Sequence, residues 1–130
     1  MKKMSLLLYV ILFGFLSTNV GYAFAEENKQ VTHVVMVWLK QPGNEQQRTA
    51  FIKASEQLNS LPGIVNRHVG VVVPSDRSIV DDTFDVAVTV TLESPMALKK
   101  YLNHPKHKKI LREKIKPLTN RVVVYDFMSQ

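Results

Sequence analysis

The segment Val31–Lys40 constrains this chain more than any other, because it is apolar on both sides of an extended backbone. Successive side chains of a strand point to opposite faces. Val31, His33, Val35, Val37 and Leu39 fall on one face, and Thr32, Val34, Met36 and Trp38 on the other. A strand with one wet face alternates apolar with polar residues. This one does not, so both of its faces must meet something apolar.

The remaining pattern places that strand in a fold. Gln41-Pro42-Gly43 is a turn, and Asn44 with Gln47 three residues later fits a capping box. Phe51, Ala54, Leu58 and Leu61 then recur at helical spacing, with Gln46, Arg48, Lys53 and Glu56 left for solvent, and Leu61-Pro62-Gly63 ends the helix. Ile64–Val73 reads as a second strand and Pro74–Asp82 as a polar loop. Thr83–Leu92 is a third strand, in which Phe84, Val86, Val88, Val90 and Leu92 alternate with Asp85, Ala87, Thr89 and Thr91. Ser94 and Pro95 supply an N-cap and a first helical residue. The helix they open carries Leu98, Tyr101 and Leu102 on one face. His104-Pro105 interrupts it, since the residue before proline is pushed out of the helical region. Pro105 begins a further helix with His107, Leu111 and Ile115 at i, i+4 and i+8, flanked by Ile110. After Pro117, Asn120–Met128 is the last strand.

The order is β-α-β-β-α-β, the ferredoxin-like α+β pattern of one antiparallel sheet with helices on one face. The helices bury only that face. The second apolar face of Val31–Lys40 needs another cover, and an identical subunit brings an identical surface. The expectation is a two-fold homodimer with its sheets face to face, driven by about 25 cal/mol per Å² of buried apolar area against the cost of association.

The first 25 residues read as a leader. Lys2 and Lys3 form a positive n-region, Leu6–Leu16 is nearly unbroken apolar sequence, and Ala23-Phe24-Ala25 offers the small residues of a cleavage site. Gly14, Ser17, Thr18, Asn19 and Gly21 interrupt the run before it reaches the roughly 20 apolar residues of a membrane helix. The expectation is a signal peptide at 1–25 and one domain at 26–130, exported to a periplasm or secreted, with no stable membrane anchor after cleavage. The 105 residues left are enough for one compact domain and too few for two. No cysteine is present, so disulfides and thiolate metal sites are excluded.

The formal charge is +6, and removal of Lys2 and Lys3 leaves +4 on the domain. Lys99, Lys100, Lys106, Lys108, Lys109, Arg112, Lys114 and Lys116 face only Glu113 across one stretch. Such a stripe attracts anionic surfaces. It lacks interleaved aromatics other than Tyr101 and any recognition motif, so it reads as a solvated helix face and no nucleic acid is expected.

Chemistry concentrates in His33, Tyr101, His104 and His107. Imidazole titrates near neutral pH and can move protons, bind metal or order a pocket. If the face of His33 looks toward the helices, its ring points to where Tyr101 and His107 arrive, with Asp126 on the last strand as its natural hydrogen-bond partner. His107 lies on the apolar stripe of its helix. His104 and His107 have the spacing of two ligands on one helical turn, but His104 precedes proline and should sit outside the helix. With no third ligand nearby, no metal site is expected. Asp81, Asp82 and Asp85 read as loop and surface residues, and His68 beside Arg67 has no evident companion.

The chain resembles the stress-responsive α/β-barrel family (Dabb domains). The resemblance runs from Val31 to Phe127 and is carried by His33-Val-Val-Met-Val-Trp-Leu-Lys40, Leu61-Pro62-Gly63-Ile64, Phe84-Asp85-Val86-Ala87, Ser94–Leu98 with Tyr101, His104-Pro105-Lys106-His107, and Val124-Tyr125-Asp126-Phe127. No single motif is specific; their order and spacing together are. The resemblance implies two ferredoxin-like units paired in a dimeric barrel. A plant branch of the family is similar in using its pocket for polyketide cyclisation, and the matching positions imply His107 as general base, Tyr101 as donor to an enolate oxygen and His33 as the residue orienting substrate. That branch has a further tyrosine where this chain has Ala54, and the leader departs from intracellular relatives.

Three readings follow. The leading one is an exported homodimer that binds a small hydrophobic or aromatic molecule in a pocket gated by His33, Tyr101 and His107. Phe51, Leu58, His104 and Asp126 would lie in or behind its wall, no cofactor would be needed, and the family name implies a role in stress. The second is a cyclase, lyase or isomerase with His107 as base. The third is a structural dimer whose histidines only knit the fold.

Overall fold

The computed structural model describes residues 29–130. The expected leader at 1–25 lies outside the described residues. The strands are β1 (Val31–Leu39), β2 (Ile64–Val71), β3 (Val86–Leu92) and β4 (Thr119–Met128). The helices are α1 (Glu45–Glu56), α2 (Pro95–Asn103) and α3 (Pro105–Ile110), and α3 runs on through a π-helical turn at Leu111–Ile115 and a 3-10 turn at Lys116–Leu118. The strands form one antiparallel sheet in the order β2-β3-β1-β4. This is the ferredoxin-like α+β arrangement read from the pattern of strands and helices.

The local signals work as their chemistry requires. The Asn44 side chain accepts from the Gln47 N–H at 2.9 Å and that of Ser94 from the Ala97 N–H at 3.1 Å, so both helices begin on a side-chain cap. The Gln47 side chain reaches past the cap, accepting from the Gln41 N–H at 3.2 Å. Gly63 has φ +82, and a Cβ there would stand 2.9 Å from Ala97 Cβ; this turn both needs a left-handed residue and brings backbone against α2. His104 is extended (φ −62, ψ 133), as a residue before proline should be.

The core lies between the sheet and the helices. Val37 and Leu39 of β1, Val86, Val88, Val90 and Leu92 of β3, and Phe51, Ala54, Leu58, Leu61, Ala97, Tyr101 and Ile110 fill it. Leu58 and Leu61 are buried although α1 stops at Glu56 and the chain there turns. Among the described residues no helix lies against the opposite face of the sheet. Val34, Met36 and Trp38 lie there beside Tyr125, Val123 and Arg121 of β4, and the Arg121 guanidinium stacks 4.3 Å from the Trp38 ring centroid. Tyr125 and Phe127 are 60% and 57% exposed, an apolar surface that the described residues leave bare.

Two expectations are corrected. The third strand starts at Val86 rather than Thr83, and Asp85 is not a surface residue. It is 3% exposed, and its carboxylate accepts from the backbone N–H groups of Leu39 at 2.9 Å and Gly43 at 2.6 Å, with Arg48 at 3.7 Å. The end of β1 and the following turn leave those donors without ladder partners, and an unpaired buried N–H is costly. The carboxylate satisfies both.

Candidate functional site

His33 lies on the helix-facing side of β1, buried with Val31, Val37 and Leu39. In the β1–β4 register it stands opposite Asp126, and its Nδ1 meets Asp126 Oδ1 at 2.6 Å. Strand pairing itself aligns these side chains, since opposed residues on one face stand about 5 Å apart. Tyr101 comes from the buried face of α2, and its ring lies edge-on to His33 with centroids 6.3 Å apart. Pro105 restarts the helix so that His107 drops onto Tyr101, the two ring centroids 4.6 Å apart. The residues the sequence grouped as His33, Tyr101 and His107 therefore meet.

They line a cavity of about 210 Å³ between sheet and helices. Its wall is mostly apolar, with Val35, Phe51, Leu58, Val88 and Val90 deep in the fold and Leu111, Ile115, Val122 and Val124 toward the surface. Leu111 and Ile115 belong to the π-helical turn, an irregularity found often at functional sites. Phe51 and Leu58 stand in the wall, as the sequence placed them. Asp126 stands behind it, attached to His33, and its side chain is 43% exposed. His104 does not line the cavity: it occupies the junction of α2 and α3, where its Nδ1 accepts from the Lys106 N–H at 3.1 Å. Its Nδ1 thus serves as the cap of α3. Among the described residues no three His, Asp or Glu side chains gather as metal ligands.

Sequence reasoning missed two polar members of the wall, Ser55 and Arg67. Arg67 reaches from β2 across to the end of α1, its Nη2 donating to Ser55 Oγ and its Nη1 to Asn59 Oδ1 at 2.7 Å. Ser55 falls on the apolar stripe of α1, four residues after Phe51, and that position was its signal. Arg67 shares the parity of Val69 and Val71. A bulge hides this, because Ile64 pairs with Leu92 while Asn66 pairs with Thr91, which leaves Val65 out of register. Beyond the bulge Arg67 stands opposite the buried Val90 and faces the helices. His68, on the other face, contacts Asn66 at 3.1 Å.

Burial sets the protonation of the site. His107 is 6% exposed, and its pKa falls from 6.5 to about 4, chiefly through loss of solvation and then through the charge of His33. Its Nδ1 is buried without a partner. The ring is neutral at physiological pH and has one hydrogen-bonding position free. Burial also raises the Tyr101 pKa, against the opposing charge of Arg67, so the phenol stays protonated and available as a donor. The arrangement thus offers a neutral imidazole, a phenol and a guanidinium to whatever occupies a small apolar cavity.

Comparison with known proteins agrees with this architecture. A family model described as the Stress responsive A/B Barrel Domain matches residues 31–129. Solved structures of similar fold include a Dabb family protein with a ferredoxin-like fold from Mesorhizobium loti, at 16% identity and TM-score 0.65, covering 78% of this chain and 98% of that one. A dimeric ferredoxin-like protein of unknown function from Thermobifida fusca is 21% identical at TM-score 0.64, covering 78% and 92%. Hydroxynitrile lyase from Passiflora edulis is 20% identical at TM-score 0.66, covering 79% and 95%. At such identities the likeness establishes a shared fold. No curated protein matches the sequence significantly.

Proposed function

The chain belongs to the stress responsive A/B barrel (Dabb) family, and from that premise we propose that it is an exported homodimer binding a small hydrophobic or aromatic molecule in the cavity of each protomer. The observation that carries this reading is the cavity itself. A pocket of about 210 Å³ runs from the exposed side chains of Leu111, Val122 and Val124 down to His107, whose Nδ1 is buried without a partner. Ligand sites have this make-up, an apolar wall with a few convergent polar groups.

The dimer reading draws on the bare face of the sheet. Val34, Met36, Trp38, Tyr125 and Phe127 form an apolar surface that a second copy matches by symmetry. Solved relatives of the same fold are described as dimeric. Export rests on the leader pattern at 1–25, and N-terminal sequencing of protein recovered outside the cytoplasm should begin after Ala25.

A lyase- or cyclase-type activity with His107 as base is the second reading, favoured by the closeness of the Tyr101 and His107 rings and by the lyase among the similar structures. A general base works best with a pKa near the operating pH. Burial holds His107 near 4, which suits a hydrogen-bonding group better than a proton acceptor. Native mass spectrometry and a thermal-shift screen with small aromatic and aliphatic compounds test the proposal. A dimer mass and a melting-temperature rise that grows as RT ln(1 + [L]/Kd) are expected. A monomer at micromolar concentration refutes the dimer, and no shift with any compound refutes the ligand site. Turnover of a carbonyl compound, lost in His107→Gln, would establish the second reading instead.

A further inference from the structure

We propose that the cavity selects small monocarboxylates with a compact apolar body, and that Arg67 is the residue that binds the carboxylate; this rests on the reading of the cavity as a ligand site. Among the residues lining the cavity, Arg67 is the one with a permanent charge. A guanidinium cannot shed its proton inside a protein, so burial cannot neutralise it. Its partners are nevertheless neutral: Nη1 donates to Asn59 Oδ1 and Nη2 to Ser55 Oγ, while its Nε–H is buried with no acceptor. None of the ion pairs among the described residues includes Arg67. A half-buried cation held only by neutral acceptors leaves its charge uncompensated, and an anion is the ligand that completes it.

The rest of the wall narrows the anion. Asp126, the acid of the site, is engaged by His33 Nδ1 and does not line the cavity. Tyr101 stands near Arg67 with its phenol kept protonated by burial, a donor for a carboxylate oxygen. A carboxylate also accepts the paired donors of a guanidinium better than any neutral group does. Beyond these groups and the imidazoles of His33 and His107 the lining is apolar, with Val35, Phe51, Leu58, Val88 and Val90 deepest. A dry cavity of about 150 Å³ holds benzene, so about 210 Å³ fits one ring, or a short branched chain, with its carboxylate.

The test is calorimetric titration of the purified protein with two pairs of probes matched in shape: benzoate against benzamide, and 3-methylbutanoate against 3-methylbutanamide. In each pair the acid should bind at least about tenfold tighter than its amide. Arg67→Gln should erase that preference, and Arg67→Lys should keep part of it. Equal affinity of acid and amide for the unmodified protein overturns this inference and leaves the ligand-site reading standing. Absence of binding by all four probes fails both. An Arg67→Gln protein that melts earlier yet keeps the preference for the acids assigns Arg67 a structural role only. Should Arg67→Gln not fold, the unmodified protein and Arg67→Lys still decide the matter.

Discussion

The burial of His107 predicts a pH dependence of stability that one substitution can isolate. Loss of solvation, reinforced by the charge of His33, lowers its pKa from 6.5 to about 4, with the Leu102 carbonyl pulling weakly the other way. Above pH 6.5 the ring is neutral in both the folded and the unfolded chain and contributes nothing to the slope. Below it the unfolded chain takes up a proton that the folded site refuses, so stability falls as pH falls, until about pH 4 where the folded ring titrates too. The interval is about 2.5 pH units at about 1.4 kcal/mol each, or about 3 kcal/mol. His107→Gln keeps a polar side chain of similar reach without that titration. The stability gap between the unmodified protein and His107→Gln should therefore narrow by about 3 kcal/mol between pH 7 and pH 4. Urea unfolding at one fixed protomer concentration measures it, since association would otherwise shift the midpoint. Taking the difference between the two proteins cancels the other acids and bases. A gap that stays constant across this range, or a His107 ring that titrates near 6.5 by NMR, refutes the argument. The second result would also restore His107 as a competent general base.

Other parts of the structure yield sharper mechanical outcomes. Asp85→Ala strips acceptors from the Leu39 and Gly43 N–H groups and should cost about 2–4 kcal/mol by denaturant titration, with Asp85→Asn intermediate; a loss under about 0.5 kcal/mol would show that water replaces the carboxylate. Gly63→Ala combines a left-handed φ with a Cβ pressed against Ala97 and should cost about 1–3 kcal/mol, so an unchanged melting temperature would contradict the close approach. Met36→Lys sets an ammonium in the bare face of the sheet and should weaken the dimer at least about 100-fold by sedimentation, because a charge buried without a partner is costly. An unaltered dimer mass for that variant would move the subunit contact elsewhere.

Much of the site was legible because its residues sit on strong local signals. His33 announced itself as a polar residue in a strand apolar on both faces. His107 sat on the apolar stripe of its helix, and Pro105 marked where that helix starts. Asp126 was named on the last strand as the partner of His33, and the β1–β4 register sets the two opposite each other. Arg67 was hidden by the bulge at Val65, which lets both Ile64 and Arg67 turn inward. Asp85 was hidden by parity, for it belongs to the polar half of an alternating strand. Its burial depends on two backbone donors more than 40 residues away in sequence.

Sequence alone determined the order of strands and helices, the caps at Asn44 and Ser94, the break at Pro105 and the family, because each is written in neighbouring residues or in the spacing between motifs. Tertiary structure decided which polar groups face the cavity, how far burial lowers the His107 pKa and what Asp85 holds. Those properties belong to pairs of groups brought together across the chain. Register, bulges and desolvation create them, and no local pattern encodes any of the three.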